Sequence, residues 1–266
     1  MAGLDAHYSA RDIEARILAA LRAAGLDPGR RLAPADLAPL DHFHTGGMRA
    51  SRELLELAGI IASDRVLDVG AGLAGPARML ASAPGCRVDC IDLSPDYCAG
   101  AALLNRLTGL ADRVRVHVGS ALDLPFPDHA FDVVWMQNVG MNIADKRGLY
   151  AELHRVLAPG GRFAFQEMVA GAAGPPRFPL PWATDPADSF LASADAMCAL
   201  LADAGFVMER FDDTSDAHLG RSGAEAAPGA LTLGVFVDDL AQKAANARRS
   251  LQDGEIRFVR GLFRAR

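Results

Sequence analysis

The chain has 266 residues, half of them apolar, with four cysteines and a formal charge of −6. That apolar content can build one sizeable core, and an acidic balance without any Lys/Arg-rich block speaks against a nucleic-acid binder. No apolar run reaches the roughly 18 residues that cross a membrane, so a soluble, cytoplasmic protein is expected.

The opening stretch "MAGLDAHYSARDIEARILAALRAAG" mixes charges every few residues and reads as an amphipathic helix, not a signal peptide. Ile13, Ile17, Leu18 and Leu21 recur at helical spacing, and Gly25 with Pro28 ends the helix. "RRLAPADLAPLDHFHTGG" is broken by prolines and reads as a short helix or loop. "MRASRELLELAGI" is a helix stopped by Gly59.

From there strands and helices alternate. "RVLDVG", "CRVDCIDLS", "RVRVHVGSA", "FDVVWMQ" and "RFAFQEMV" read as strands. "GPARMLASAPG", "PDYCAGAALLNRLTGL" and "DKRGLYAELHRVLAPGG" read as helices, the last closing in a turn. This β-α-β-α register implies an α/β fold with a parallel sheet and helices on both faces.

After residue 170 the rhythm breaks. "AGAAGPPRFPLPWATDPADSF" reads as a long loop, "SADAMCALLADAG" as a helix and "FVMERFDD" as a strand. A polar, Ala/Gly-rich segment follows, then the helix "FVDDLAQKAANARRSLQDG" and a last strand, "EIRFVRGLF". One domain over 1–266 fits: N-terminal helices to residue 60, an alternating strand-and-helix core over 61–170, and a helical cap with the last two strands over 171–266; the resemblance given below makes these a lid, a cofactor-binding core and a substrate cap.

Cys86, Cys90, Cys98 and Cys198 show neither C-x-x-C nor a Cys/His metal spacing. They read as small buried residues in a reducing compartment. His42 and His44 form an H-x-H pair, but no third ligand is spaced to join it, and no metal is expected. His117, alternating within its strand, reads as a satisfied strand residue.

Gly70, Gly72 and Gly75 fit G-x-G-x-x-G at a strand-to-helix turn, where a ligand can approach the backbone closely. The pattern alone does not choose between nicotinamide dinucleotides and S-adenosylmethionine. Asp68, two residues before the first glycine, does choose. A buried carboxylate there repels a pyrophosphate and attracts the ammonium of an amino-acid moiety. Asp92 ends the next strand and can accept both ribose hydroxyls in either cofactor class. Tyr150 is followed four residues later by His154, so the Tyr-x-x-x-Lys of short-chain dehydrogenases is absent.

"VLDVGAGLAGPARMLA", "DCIDLSPDYC", "GSALDLPFPDHAFDVVWMQNVGMNI" and "ELHRVLAPGGRFAFQEMV" together resemble the successive motifs of class I S-adenosylmethionine-dependent methyltransferases, over roughly Asp41 to Arg266. Within the class, "DHFHTGG", "MQNVGMNIADK" and "RFVRGLFRAR" are similar to small-molecule methyltransferases of the sarcosine/dimethylglycine N-methyltransferase-like group. The resemblance implies a Rossmann-like, seven-stranded sheet of order 3-2-1-4-5-7-6, with an antiparallel last strand and a helical cap. It implies that Asp68, Gly70, Ala71 and Gly72 hold the methionine portion, Asp92 the ribose, and Leu93 the adenine face. Ser120, Ala121 and Leu122 would edge the adenine, Ser120 standing where many members carry an acid. Gln137 would contact the methionine end, and "LAPGG" would be a structural turn.

Methyl transfer is an in-line displacement, so alignment and exclusion of water matter most. A general base is needed only where the acceptor must lose a proton. Candidate catalytic residues are His42 and His44 in a lid over the cofactor, Asn142 where several relatives place a histidine, and Glu167 at the end of the fifth strand. For Glu167 a salt bridge or a cap to the next loop is the competing role. Asn138, Met141, Phe178 and Trp182 are candidate acceptor-pocket residues, the last two also able to pack on the core. The expected partner is a small-molecule methyl acceptor, to be N- or O-methylated; no nucleic acid or membrane is expected, and a homodimer is left open. The competing readings are an NAD(P)-linked oxidoreductase and a non-catalytic cofactor-binding protein on the same fold.

Overall fold

The computed structural model describes residues 12–42, 44–219 and 238–266. The first part of the N-terminal expected helix and the polar segment 220–237, with the first residues of the last expected helix, lie outside the described residues.

The elements run α1 (Ile13–Ala23), α2 (Pro34–Asp41), α3 (Gly47–Ala58), β1 (Arg65–Val69), α4 (Gly75–Ser82), β2 (Arg87–Asp92), α5 (Pro95–Thr108), β3 (Val114–Val118), β4 (Phe131–Gln137), α6 (Lys146–Val156), β5 (Leu157–Ala170), α7 (Ala194–Asp203), β6 (Phe206–Asp213), α8 (Ser215–Leu219), α9 (Leu240–Gln252) and β7 (Ile256–Ala265). The seven strands form one sheet in the order β3-β2-β1-β4-β5-β7-β6. Strands β1 to β5 pair in parallel, and β7 is antiparallel to both β5 and β6. The mixed Pro-rich stretch before residue 47 resolves into α2, opened by Pro34 at a position where a missing N–H costs nothing.

"LAPGG" is a bulge inside strand pairing rather than a plain helix-to-strand turn. Leu157 pairs with Phe131, but the next register partner of β4 is Arg162 with Val133. The intervening residues loop out, with Gly160 in the left-handed region at φ 75°.

Strand alternation sorts residues onto two faces. Leu67, Val69, Val134, Met136, Phe163 and Phe165 pack with α6 and α7 residues on one. Val66, Cys90, Val133, Trp135 and Ala164 pack on the other with residues of α3 and α4. Asp68 pairs with Trp135 across β1 and β4, and Gln137 with Gln166 across β4 and β5. These four polar-ended positions therefore share the face that α3 covers. The N-terminal helices add a third cluster, in which Ile17, Leu21, Leu37 and Leu40 meet Leu73 and Leu104. That cluster fixes α1 and α2 against the glycine loop and α5. Cys86, Cys90 and Cys98 are buried and Cys198 half-buried, all as free thiols.

Candidate functional site

The site lies where β1, β2 and β4 end. Gly70 has φ 66°, a region costly for side chains. A Cβ on it would overlap the methyls of Val139, so this glycine lets the turn after β4 pack on the glycine loop. Gly72 has φ 53°, and a Cβ there would meet nothing within 4 Å, which leaves open room against the backbone. The N–H groups of Gly70 and Ala71 are held by the Ile91 carbonyl, at 2.8 and 3.1 Å.

Asp68 is buried, and its Oδ2 has no hydrogen-bond partner. Burial, then the charge of Asp92, push its pKa up to about 8, with Arg78 opposing. An orphaned buried carboxylate oxygen is costly unless a donor completes it. The Asp92 Oδ2 accepts from the Gly72 N–H at 2.8 Å and its Oδ1 from the Ser94 N–H at 2.9 Å. Burial raises its pKa, and these backbone donors lower it. Each oxygen keeps a second lone pair for a ribose hydroxyl. The Gly119 N–H reaches the Asp92 carbonyl at 2.9 Å, which brings the turn after β3 alongside. Large apolar side chains stay in solvent here, Leu93 at 50% and Leu122 at 42% exposure. Ser120 Oγ accepts from the Leu122 N–H at 3.1 Å, shaping the turn that also holds Ala121.

Beneath the glycine loop is a buried ion pair that sequence reasoning missed. Arg78 in α4 is fully buried and donates to Asp41 Oδ2 at 2.7 Å, to the Leu73 carbonyl at 2.6 Å and to Asn105 Oδ1 at 2.7 Å. Asp41 is pushed up to about 6 by burial, with Arg78 pulling it back. Gly75 fits against this pair: a Cβ on it would strike the Asp41 carbonyl and lie 2.6 Å from Asp41 Oδ1. The third glycine of the fingerprint thus makes room for the end of α2. A signal did exist in sequence, since Arg78 is the one charge in the short helix "GPARMLAS".

His42 and His44 follow Asp41 and are both buried. Their rings meet edge to face at 5.4 Å, and His42 Nδ1 lies 3.3 Å from His44 Nε2. Ser51 of α3, also missed from sequence, joins both: its Oγ is 2.9 Å from His44 Nε2 and 3.3 Å from His42 Nδ1. It also donates to Gln137 Oε1 at 3.1 Å. Trp135 Nε1 donates to the same oxygen at 2.9 Å, and Gln137 Nε2 stands 3.4 Å from His44 Nδ1. Burial is the first cause that lowers the pKa of His42, to about 3, and of His44, to about 4. Gln166, a further residue without a sequence signal, donates to the Thr45 carbonyl at 2.7 Å and ties the lid to β5. The fold thus brings His42, His44 and Gln137 together.

Glu167, next to Gln166 on β5, turns to the opposite face of the sheet. Glu167 Oε1 accepts from the N–H groups of Val139 and Gly140 at 2.9 and 3.0 Å, which is a cap on the loop after β4. Its Oε2 is buried without a partner, as are Asn138 Oδ1 and Asn142 Oδ1. Burial pushes Glu167 up to about 7 against those two N–H donors. Lys146 donates to the carbonyls of Gly140, Ile143 and Phe190, and burial holds it down at about 8. Met141 and Trp182 pack with Met168, Leu180, Ile256 and Phe258, and Phe178 lies against them. Trp182 Nε1 donates to Ser189 Oγ at 3.0 Å. His117 pairs with Asp89 at 2.7 Å. Among the described residues no group of three or more His, Cys, Asp or Glu is placed to hold a metal ion, and no helix is long and apolar enough to cross a membrane.

Residues 67–165 match the family described as Methyltransferase domain. The glycine/sarcosine/dimethylglycine N-methyltransferase of Actinopolyspora halophila is 36% identical over 132 residues, 50% of this chain and 23% of that protein. The chloroplastic tocopherol O-methyltransferase of Arabidopsis thaliana is 39% identical over 121 residues, 43% of this chain and 35% of that protein. The chain spans less than half the length of these curated relatives. A geranyl diphosphate C-methyltransferase from Streptomyces coelicolor A3(2), solved with Mg2+, geranyl diphosphate and S-adenosyl-L-homocysteine, shares the fold. Its TM-score is 0.66 at 21% identity, over 82% of this chain and 79% of that one. The sheet order also lacks the second mononucleotide-binding half of a dinucleotide-binding fold, since β7 stands antiparallel between β5 and β6. Residues 67–165 thus match a methyltransferase domain, and the strand order is the one expected from the resemblance to class I S-adenosylmethionine-dependent methyltransferases.

Proposed function

We propose that this protein binds S-adenosylmethionine at the ends of β1, β2 and β4 and directs its methyl group to a nitrogen or oxygen of a small molecule. The observation that carries the reading is the buried, unpartnered Asp68 Oδ2, beside the glycine loop's open flank at Gly72. Asp68 with Gly70, Ala71 and Gly72 would hold the methionine portion, and an ammonium donor would complete the orphaned oxygen. Asp92 would take the ribose hydroxyls, Leu93 and Leu122 the adenine faces, and Ser120 with Ala121 its edge. Gln137 would close the methionine end.

When bound there, the cofactor supplies an activated methyl that leaves its sulfur for an incoming lone pair. The chain's own work is alignment and dehydration. His42, His44 and Ser51 cover Gln137 as a dry polar lid. Asn138, Met141, Asn142, Phe178 and Trp182, around the turn after β4 and the long loop, are the proposed acceptor surroundings. We propose that Glu167 braces this turn through its Oε1, with its free oxygen as the competing seat for a proton or an ammonium. An amine that arrives as its free base needs no such group; a phenol or alcohol does.

Calorimetry with S-adenosylmethionine, S-adenosylhomocysteine and NAD tests the reading. Binding of both adenosyl compounds is expected. Binding of NAD with neither of them would overturn it.

A further inference from the structure

We infer that Ser51 is a positioning residue: its hydroxyl, set between His42, His44 and Gln137, receives the Nε2 proton of His44, passes its own proton on within the cluster, and so holds the Gln137 amide at the methionine end of the site. The inference rests on the proposed function only for what Gln137 faces.

The assignment starts from Trp135. An indole N–H can only donate, so the Gln137 oxygen faces Trp135 Nε1 at 2.9 Å. The Gln137 nitrogen then faces His44 Nδ1 at 3.4 Å. An amide nitrogen also only donates, so His44 Nδ1 must accept. A neutral His44 therefore carries its proton on Nε2, and the Ser51 Oγ at 2.9 Å receives it. The competing arrangement, Nδ1–H toward the Thr45 carbonyl at 3.4 Å, would set two N–H groups against each other. A doubly protonated His44 meets the same opposition.

His42 follows from His44. Its Nδ1 lies 3.3 Å from both the Ser51 Oγ and His44 Nε2, and accepts. Its own proton then sits on Nε2, 3.8 Å from Asp41 Oδ1, an oxygen with no hydrogen bond. The Ser51 proton turns to Gln137 Oε1 at 3.1 Å or to His42 Nδ1. With both rings neutral, every donor faces an acceptor. Arg78 and Arg52 face His42, and His218 faces His44, which opposes a positive ring at either place. Asp41 stands beside the pair, and Arg78 already neutralises it.

Both histidines then have their accepting nitrogen engaged inside the lid. They place Gln137 rather than take a proton from an acceptor, and Ser51 is the joint between them.

Long-range proton–nitrogen NMR on the 15N-labelled full chain reads the tautomers directly, with His42→Asn and His44→Asn assigning the signals. The expected spectrum shows His44 protonated on Nε2 and both rings neutral from about pH 5.5 to about pH 8.5, where an ordinary histidine titrates. Ser51→Ala removes the acceptor of that proton, so it should shift the His44 Nε2 signal without moving the proton to Nδ1, and weaken S-adenosylhomocysteine binding about tenfold, the loss of one buried hydrogen bond. Gln137→Glu sets an acceptor against His44 Nδ1 and should bring a proton there, which decides the matter if Ser51→Ala does not fold. A wild-type His44 protonated on Nδ1 or charged, or a His44 signal unmoved by these substitutions, would overturn the assignment. Failure of the wild type to bind S-adenosylhomocysteine strikes the proposed function instead and leaves the tautomer reading to stand or fall by itself.

Discussion

Gln166 and Glu167 are neighbours on β5 and serve opposite sides of the sheet. Gln166 reaches the Thr45 carbonyl and joins the lid that covers Gln137 and the two histidines. Glu167 turns the other way and gathers the Val139 and Gly140 amides. The strand period separates them. The residue with the stronger chemical signature braces a loop, and the plain amide meets the lid. A side chain's place at this site is set by strand parity first and by its chemistry second.

Four measurements can break or sharpen that contrast. Arg78→Ala acts on the lid side and should have the largest effect. It leaves Asp41 buried without its cation, and breaking a buried pair from one end typically costs about 3–5 kcal/mol. Urea unfolding reads it; a loss below about 1 kcal/mol would mean that the pair does not anchor α2. Asp68→Asn should weaken S-adenosylhomocysteine about 10- to 100-fold, the worth of a charge-assisted hydrogen bond. In the wild type that affinity should climb with pH and level off near the value of about 8 held by free Asp68. Below that pH an ammonium must expel the carboxyl proton in order to bind. Isothermal titration in buffers of different ionisation heat should therefore show proton release at neutral pH, and proton uptake would contradict the pairing.

The third measurement is stability against pH. Asp41, Glu167 and Asp68 are held up at about 6, 7 and 8 in the folded chain, against roughly 4 in an unfolded one. The folded state therefore binds the extra protons. Their contribution is full below about pH 4 and is lost as pH climbs through those three values. The melting temperature should fall between about pH 4 and pH 8, and Glu167→Gln should remove the part that ends near 7. Smallest is the effect of Glu167→Gln on turnover. An amide oxygen can still accept from Val139 and Gly140, so a brace loses less than about tenfold in kcat. A loss of a hundredfold or more, with the alkaline-rising limb of the pH profile gone, would make Glu167 the base.

The glycine loop and the carboxylates beside it were legible because their signals are local. Asp68, Gly70 and Gly72 lie within one strand and turn, and Asp92 ends the next strand. Alternating strands and helices carried the sheet order once the family resemblance was seen. The lid was not legible, because its bonds join distant positions. Arg78 meets Asp41 across 37 residues, Ser51 meets Gln137 across 86, and Gln166 meets Thr45 across 121. No spacing rule pairs such residues, and Ser51 in an amphipathic helix looks like any small polar side chain. The acceptor side was obscured differently: Met141, Trp182 and Phe178 share one apolar cluster, and apolar side chains carry no chemical label of their own.

Gly75 and the Asp41–Arg78 pair set the grain of motion around the site. α2, the glycine loop and α4 are pinned together at one point by a charge with nowhere else to go. Their backbone amides should exchange with solvent as one cooperative unit. Five positions, 42–46, separate that unit from α3. A ligand that tightens the glycine loop should therefore slow exchange in α2 and α4 together.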